Sequence, residues 1–216
     1  MSLIPDDKKE LLKNDFKMQL IDPVKIVMFT QEMECRFCAD TRQLVQTIAP
    51  LSDKLSVEVY DFMKDAEKAK EYCIDKIPAI AIIGAKDYGV RIYGIPYGYE
   101  LQTLIEAIIN VSKGKGRTDL SDKTKSILSE IKNPVHIEVF VTLTCPHCPA
   151  AAAVAHKLAI ESPMIRSDII ETSEFPDLAM KNNVIGVPKI IVNSKVDFVG
   201  AFNEDLFAEN VLLGAF

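Results

Sequence analysis

The sequence predicts an α/β fold made of two tandem copies of one unit, each a central mixed β-sheet flanked by helices. Length and composition give the first reason: the chain has 216 residues, 48% of them hydrophobic, roughly twice a small domain of about 100 residues. The second reason is an internal repeat. Cys35 and Cys38 recur as Cys145 and Cys148 at an offset of 110 residues, and a proline, Pro78 or Pro188, lies 43 residues after the first cysteine of each pair. Upstream, Asp22-Pro23-Val24-Lys25-Ile26 matches Asn133-Pro134-Val135-His136-Ile137 at an offset of 111. A match sustained at one period marks a duplication.

Each copy carries the same elements in the same order. An amphipathic stretch opens it, Asp6 to Met18 and Ser121 to Lys132, with Leu and Ile three to four residues apart and a proline soon after, which is the pattern of a helix and its stop. Val24 to Thr30 and Val135 to Thr142 are rich in β-branched residues and Phe, so they read as strands running into the cysteine motifs. Helices are expected to start at the motifs, Cys35 to Ile48 and Cys145 to Ile160. A second strand (Ser56 to Phe62; Arg166 to Glu171) and a helix lead to the proline. A strand pair follows, Ala79 to Ile83 with Gly89 to Tyr93, and Lys189 to Val192 with Asp197 to Phe202. Glu100 to Val111 and Glu204 to Leu213 close the copies as helices. The order β-α-β-α-β-β-α implies a mixed sheet with helices on both faces. The polar segment Ser112 to Thr118, with two glycines, reads as the linker, which gives units 1–115 and 116–216.

A net charge of −6 without any Lys/Arg run argues against nucleic-acid and membrane partners, since both need clustered positive charge. The N-terminus, Met1-Ser2-Leu3-Ile4-Pro5-Asp6-Asp7, lacks the basic and apolar regions of a signal peptide, so a cytoplasmic, soluble protein is expected. Five cysteines are too few for a disulfide scaffold of this length and point instead to redox or metal chemistry.

Redox chemistry fits the context of the motifs. A cysteine at the start of a helix meets unpaired backbone N–H groups and the positive end of the macrodipole, which favour the thiolate, the attacking form. Cys35 and Cys145 are therefore the expected nucleophiles, and Cys38 and Cys148, one turn on, resolve the mixed disulfide. The alternative is a zinc site of four cysteines, but zinc-ribbon pairs lie about 15 to 20 residues apart, far closer than these. No other metal set is expected. No dinucleotide fingerprint, phosphate loop or Ser-His-Asp signal is present, so no cofactor is expected, and electrons would come from another protein or a small thiol.

On Cys35-Arg36-Phe37-Cys38 with Ile77-Pro78, and Cys145-Pro146-His147-Cys148 with Val187-Pro188, each half resembles a thioredoxin-superfamily unit with an extra N-terminal helix. The tandem resembles the protein disulfide oxidoreductase (glutaredoxin-like) family of archaea and thermophilic bacteria, over essentially the whole chain. The resemblance implies that Pro78 and Pro188 are cis and face the cysteines, and that Ile77 and Val187 present backbone to an extended substrate. It also implies protein disulfides as substrates and a thioredoxin-reductase-like or thiol electron donor. Thioredoxins carry a buried carboxylate six residues before the first cysteine. Here Val139 takes that place, or Phe29 or Met28 in the first half, and Glu138 falls on the opposite face of its strand. The proton acceptor is left open.

The two sites differ in their flanks. Glu32, Glu34 and Asp40 oppose a thiolate at Cys35 while Arg36 supports it; around Cys145 no acid is near, and His147 precedes the second cysteine. Cys145 is expected to be the more acidic thiol and its disulfide the more oxidising. Cys73 is expected to be a buried structural thiol, and His136 and His156 ordinary surface or core residues. Two other functions compete: an electron carrier for a peroxidase-type client, as in the N-terminal module of alkyl hydroperoxide reductase flavoproteins, which keeps a single motif, and a non-catalytic binding or chaperone module.

Overall fold

The computed structural model describes residues 3–216; Met1 and Ser2, the first two residues of the N-terminal stretch, lie outside them. The first repeat contains α1 (Asp6–Gln19), β1 (Val24–Thr30), α2 (Cys38–Ile48), β2 (Leu55–Asp61), α3 (Ala66–Glu71), β3 (Ala79–Ile83), β4 (Asp87–Tyr93) and α4 (Glu100–Lys113). The second contains α5 (Asp122–Glu130), β5 (Val135–Val141), α6 (Cys148–Glu161), β6 (Ile165–Glu171), α7 (Pro176–Lys181), β7 (Lys189–Val192), β8 (Val196–Val199) and α8 (Glu204–Gly214). The order of elements matches the sequence reading. The boundaries differ where the backbone turns: β8 stops before Gly200, whose φ of 113° suits only glycine.

The eight strands form one continuous sheet in the order β2-β1-β3-β4-β6-β5-β7-β8. In each repeat a parallel pair (β1 with β2, β5 with β6) is extended by an antiparallel hairpin. The repeats join where β4 pairs in parallel with β6, placing Val90 opposite Ser167 and Tyr93 opposite Ile170. Because β1, β4, β6 and β5 all run the same way, both cysteine motifs emerge at the same edge of the sheet.

β1 and β5 have the dense burial of strands covered on both faces. One large core, including Leu44, Leu104, Ile108, Ala155 and Phe207, lies under α2, α4, α6 and α8, while a smaller one around Val27, Phe29, Tyr72, Tyr93 and Phe140 lies under α3 and α7. The alanine run in α6 is almost wholly buried, because α4 packs close against it.

The seam also holds charge. Asp168, 1% exposed, accepts hydrogen bonds from Arg166 Nε at 2.8 Å and Nη2 at 2.9 Å, and His136 Nε2 lies 2.7 Å from it. Arg166 Nη2 crosses to donate to the Tyr93 hydroxyl at 2.7 Å. Burial pushes the Asp168 carboxyl upward, but the bonds from His136 and Arg166 outweigh it and hold it below the usual carboxylate range. His136, expected to be an ordinary residue, is thus the exposed end of a buried ion cluster. His156 is a core residue, and burial pushes its imidazole down to about 4.

Candidate active site

Both motifs lie in the turn between a strand and a helix, one repeat unit apart. The helices begin at Cys38 and Cys148, so Cys35 and Cys145 sit in the turn just before the first helical residue rather than within the helix. That still brings the sulfur to the helix N-terminus: the Cys148 N–H points at Cys145 Sγ, 3.1 Å away. Among the described residues no such donor meets Cys35.

Both pairs are closed as disulfides, Cys35 with Cys38 and Cys145 with Cys148. In each, the second cysteine is fully buried, whereas Cys35 is half-buried and Cys145 8% exposed. The first cysteine of each pair is the more accessible one. β3, β4 and β6 separate the strands that carry the motifs, so the two pairs are about 19 Å apart across four strand spacings. Four cysteines so divided cannot ligate one zinc ion.

The Ile77–Pro78 and Val187–Pro188 peptide bonds are cis. At the C-terminal site the Val187 carbonyl oxygen lies 3.9 Å from Cys145 Sγ, so the backbone before the proline borders the first cysteine of the pair. The helix before each proline ends in a left-handed residue, Cys73 at φ 54° and Asn183 at φ 50°. Cys73 is nevertheless exposed, not buried: Tyr72 and Ile74 on either side take the core positions, and its thiol is left outside.

The flanks are arranged unequally. Arg36 is exposed, its guanidinium 4.9 Å from the centre of the Phe37 ring, and Glu32 is tied to Arg42 at 2.8 Å. His147 caps α6 by position and is exposed.

Neither β1 nor β5 carries a carboxylate six residues before its first cysteine, where Phe29 and Val139 stand, but a buried carboxyl heads α4, directly after a loop that touches the C-terminal motif. The loop after β4 folds over the C-terminal motif: Tyr99 N–H donates to the Leu143 carbonyl at 3.1 Å. A Cβ on Gly98 would stand 2.5 Å from that same oxygen, so only glycine lets the loop approach. The next residue but one, Glu100, heads α4 and is 2% exposed. Its Oε2 accepts from Thr103 at 2.8 Å while Oε1 has no partner. Burial pushes its carboxyl up to about 7, with Glu171 adding to the rise. The signal for it lies in a break of the repeat: the loop from Gly94 to Tyr99 is longer than its counterpart from Gly200 to Asn203, which also leads into a helix headed by a glutamate, Glu204.

Known proteins agree with this architecture. The thioredoxin domain family matches residues 135–212. A thioredoxin of Methanocaldococcus jannaschii is 37% identical over 78 residues, 36% of this chain and 92% of that protein. An alkyl hydroperoxide reductase polypeptide of Staphylococcus aureus is 25% identical over 193 residues, 86% of this chain and 34% of that protein, so the chain spans about a third of the length of such curated relatives. The crystal structure of a protein disulfide oxidoreductase from Aeropyrum pernix superposes with a TM-score of 0.91 at 32% identity, covering 100% of this chain and 94% of that one. With a likeness that runs end to end and includes both halves of the duplication, the chain belongs to the protein disulfide oxidoreductase family.

Proposed function

We propose that this protein exchanges disulfides with protein substrates at both sites, with Cys35 and Cys145 as nucleophiles and Cys38 and Cys148 as resolving thiols. In the reducing direction the Cys145 thiolate attacks one sulfur of a substrate disulfide, forming a mixed disulfide and releasing the other sulfur as a thiolate. Cys148 then loses its proton and attacks Cys145. The enzyme disulfide closes, and the substrate leaves as a dithiol with two electrons gained. Glu100 in its ionised form takes that proton. Oxidation of a substrate runs the same steps backwards, and reduction followed by reoxidation gives isomerisation. The backbone of Ile77 and Val187 beside Pro78 and Pro188 holds an extended substrate segment, and Arg36 and His147 tune the first thiol of each pair.

The carrying observation is the Cys148 N–H aimed at Cys145 Sγ, beside the Val187 carbonyl, because it pairs thiolate support with a backbone edge for substrate. Electrons come from a thioredoxin-reductase-like flavoprotein or a small thiol in the cytoplasm; no described helix is long and apolar enough to cross a membrane. Reduction of a disulfide-linked protein and refolding of a scrambled one test this reading. Replacing all four motif cysteines by serine must abolish both activities, and retention of either sinks it. The second reading, a carrier for a peroxidase-type client, draws on the similarity to the alkyl hydroperoxide reductase of Staphylococcus aureus; two intact motifs weigh against it.

A further inference from the structure

Residues 94–99, the loop between β4 and α4, run from one site to the other. At its start Gly94 N–H donates to the carbonyl of Pro78, the cis proline of the N-terminal site, at 2.9 Å; at its end Tyr99 N–H holds the Leu143 carbonyl, two residues before Cys145. Between these anchors Ile95 N–H donates to the Glu174 carboxylate at 2.6 Å, Ile95 and Pro96 are buried, and Tyr97 N–H turns back to the Ile95 carbonyl at 3.0 Å. The backbone is fixed along its length.

Its two tyrosine rings are not. Tyr97 is 45% and Tyr99 50% exposed, and among the described residues neither phenol has a hydrogen-bond or ring partner. The aromatic residue of the shorter loop in the second repeat, Phe202, instead stacks on Phe198 at 4.9 Å. Across Cys145 from Tyr99 lies a second apolar wall. The Val187 carbonyl borders Cys145 Sγ, Ile185 just before it is exposed, and the exposed Val199 packs 3.8 Å from where Gly186 would carry a Cβ. Residues 94–99, 142–146, 185–188 and 199–202 contain no charged side chain.

The N-terminal site has neither wall. The residues before Ile77 are the paired Asp75 and Lys76, and the place matching β4 and its loop, beyond β2, lies outside the sheet because β2 is an edge strand.

We propose that Tyr97 and Tyr99 are specificity-determining residues of the C-terminal site, forming with Ile185 and Val199 an uncharged groove for an extended, unfolded protein segment with large apolar side chains beside its cysteine. The inference rests on the reading of Cys145 as a nucleophile toward protein disulfides. The Val187 backbone lies on the floor of the groove, where an extended chain can run along it. In such a chain the side chains two residues either side of the cysteine point the same way as its sulfur, toward the walls. Large apolar groups next to a cysteine are open to the groove only in a chain that has not folded, since folded proteins bury them. Aromatic rings on a fixed backbone lose little freedom when covered, which suits them to this contact.

The test uses two disulfide-linked peptide dimers of one-cysteine peptides, one with Phe and one with Ser two residues either side of the cysteine. Each is reacted with chemically reduced protein in which only one pair remains, the other pair being replaced by serine. Cys145 attacks and releases one peptide as a thiol, and Cys148 closes the protein disulfide and releases the second. The C-terminal pair should react roughly fivefold faster with the Phe peptide, the order of one aromatic contact. Tyr97→Ser with Tyr99→Ser should remove that preference, Tyr97→Phe with Tyr99→Phe should keep it, and the N-terminal pair should treat the peptides alike. The inference is overturned if the C-terminal pair does not distinguish the peptides, if its preference survives the double serine substitution, or if the N-terminal pair shows the same preference. In each of these outcomes the peptides are still reduced; failure of disulfide exchange itself is different, since then neither peptide reacts with either pair.

Discussion

The N-terminal cysteine pair is flanked by Glu32, Glu34, Arg36 and Asp40, whereas the C-terminal pair is flanked by threonines and prolines with His147 as its single ionisable neighbour in the motif, although one duplication produced both. Beside Pro78 stand Asp75 and Lys76, paired at 2.6 Å, with Lys76 Nζ 3.9 Å above the Tyr93 ring. The matching positions beside Pro188 are Ile185, 99% exposed, and Gly186. The frame of each repeat, a strand feeding a Cys-x-x-Cys turn with a cis proline 43 residues after its first cysteine, is the same. The rim has diverged, and with it the environment of the reacting sulfur: a backbone N–H meets Cys145, while Arg36 is the positive group nearest Cys35 in sequence. Duplicated frames can therefore house two sites of different character.

The largest effect should come from separating the sites. Cys35→Ser and Cys145→Ser each abolish exchange at one pair, leaving the activity and redox potential of the other to be measured alone against glutathione. A C-terminal pair no more oxidising than the N-terminal one would erase the asymmetry between them.

Next is the seam that joins the repeats. Asp168→Asn removes the charge that Arg166 and His136 share, and loss of one partner from a buried cluster costs about 3–5 kcal/mol, measurable by urea unfolding. The native carboxyl is held low, so its stabilisation is present above the usual carboxylate range and lost as pH falls through its native value. The variant should lack that acid limb.

Glu100→Gln comes third. Its raised carboxyl makes the wild-type protein lose stability as pH climbs from about 4.5 to about 7. The variant should be spared that loss, up to about 3 kcal/mol. If Glu100 accepts the Cys148 proton, release of the mixed disulfide at the C-terminal site should slow by roughly 10²-fold, with the N-terminal site unaffected. His147→Ala is the smallest test. It should make the C-terminal pair less oxidising by about tenfold in its equilibrium with glutathione, about 30 mV for two electrons.

Much of this is readable from sequence because it is local or periodic. Strand alternation, helix spacing and the two cysteine–proline frames repeat along the chain, so each half supports the other. Cys73 departs from its expected burial because the fate of a single residue in a left-handed turn depends on which neighbours claim the core. Glu100 and Glu174 are hard to find in the sequence because their surroundings come from both repeats, and only the longer loop at residues 94–99 and the change from Lys64 to Glu174 hint at them.

The sequence alone therefore determined the duplication, the order of elements and the four sulfur positions, since these follow from spacing and from the hydrogen-bonding demands of strands and helix ends. Tertiary structure alone decided that β4 and β6 would fuse two sheets into one. From that pairing followed the burial of the Asp168 cluster and the contacts by which each repeat reaches the other, Tyr99 N–H on the Leu143 carbonyl and Ile95 N–H on the Glu174 carboxylate. The reason is physical: an edge strand's unpaired backbone does not encode its partner, and a carboxyl's proton affinity depends on how much water and which charges the completed fold leaves around it.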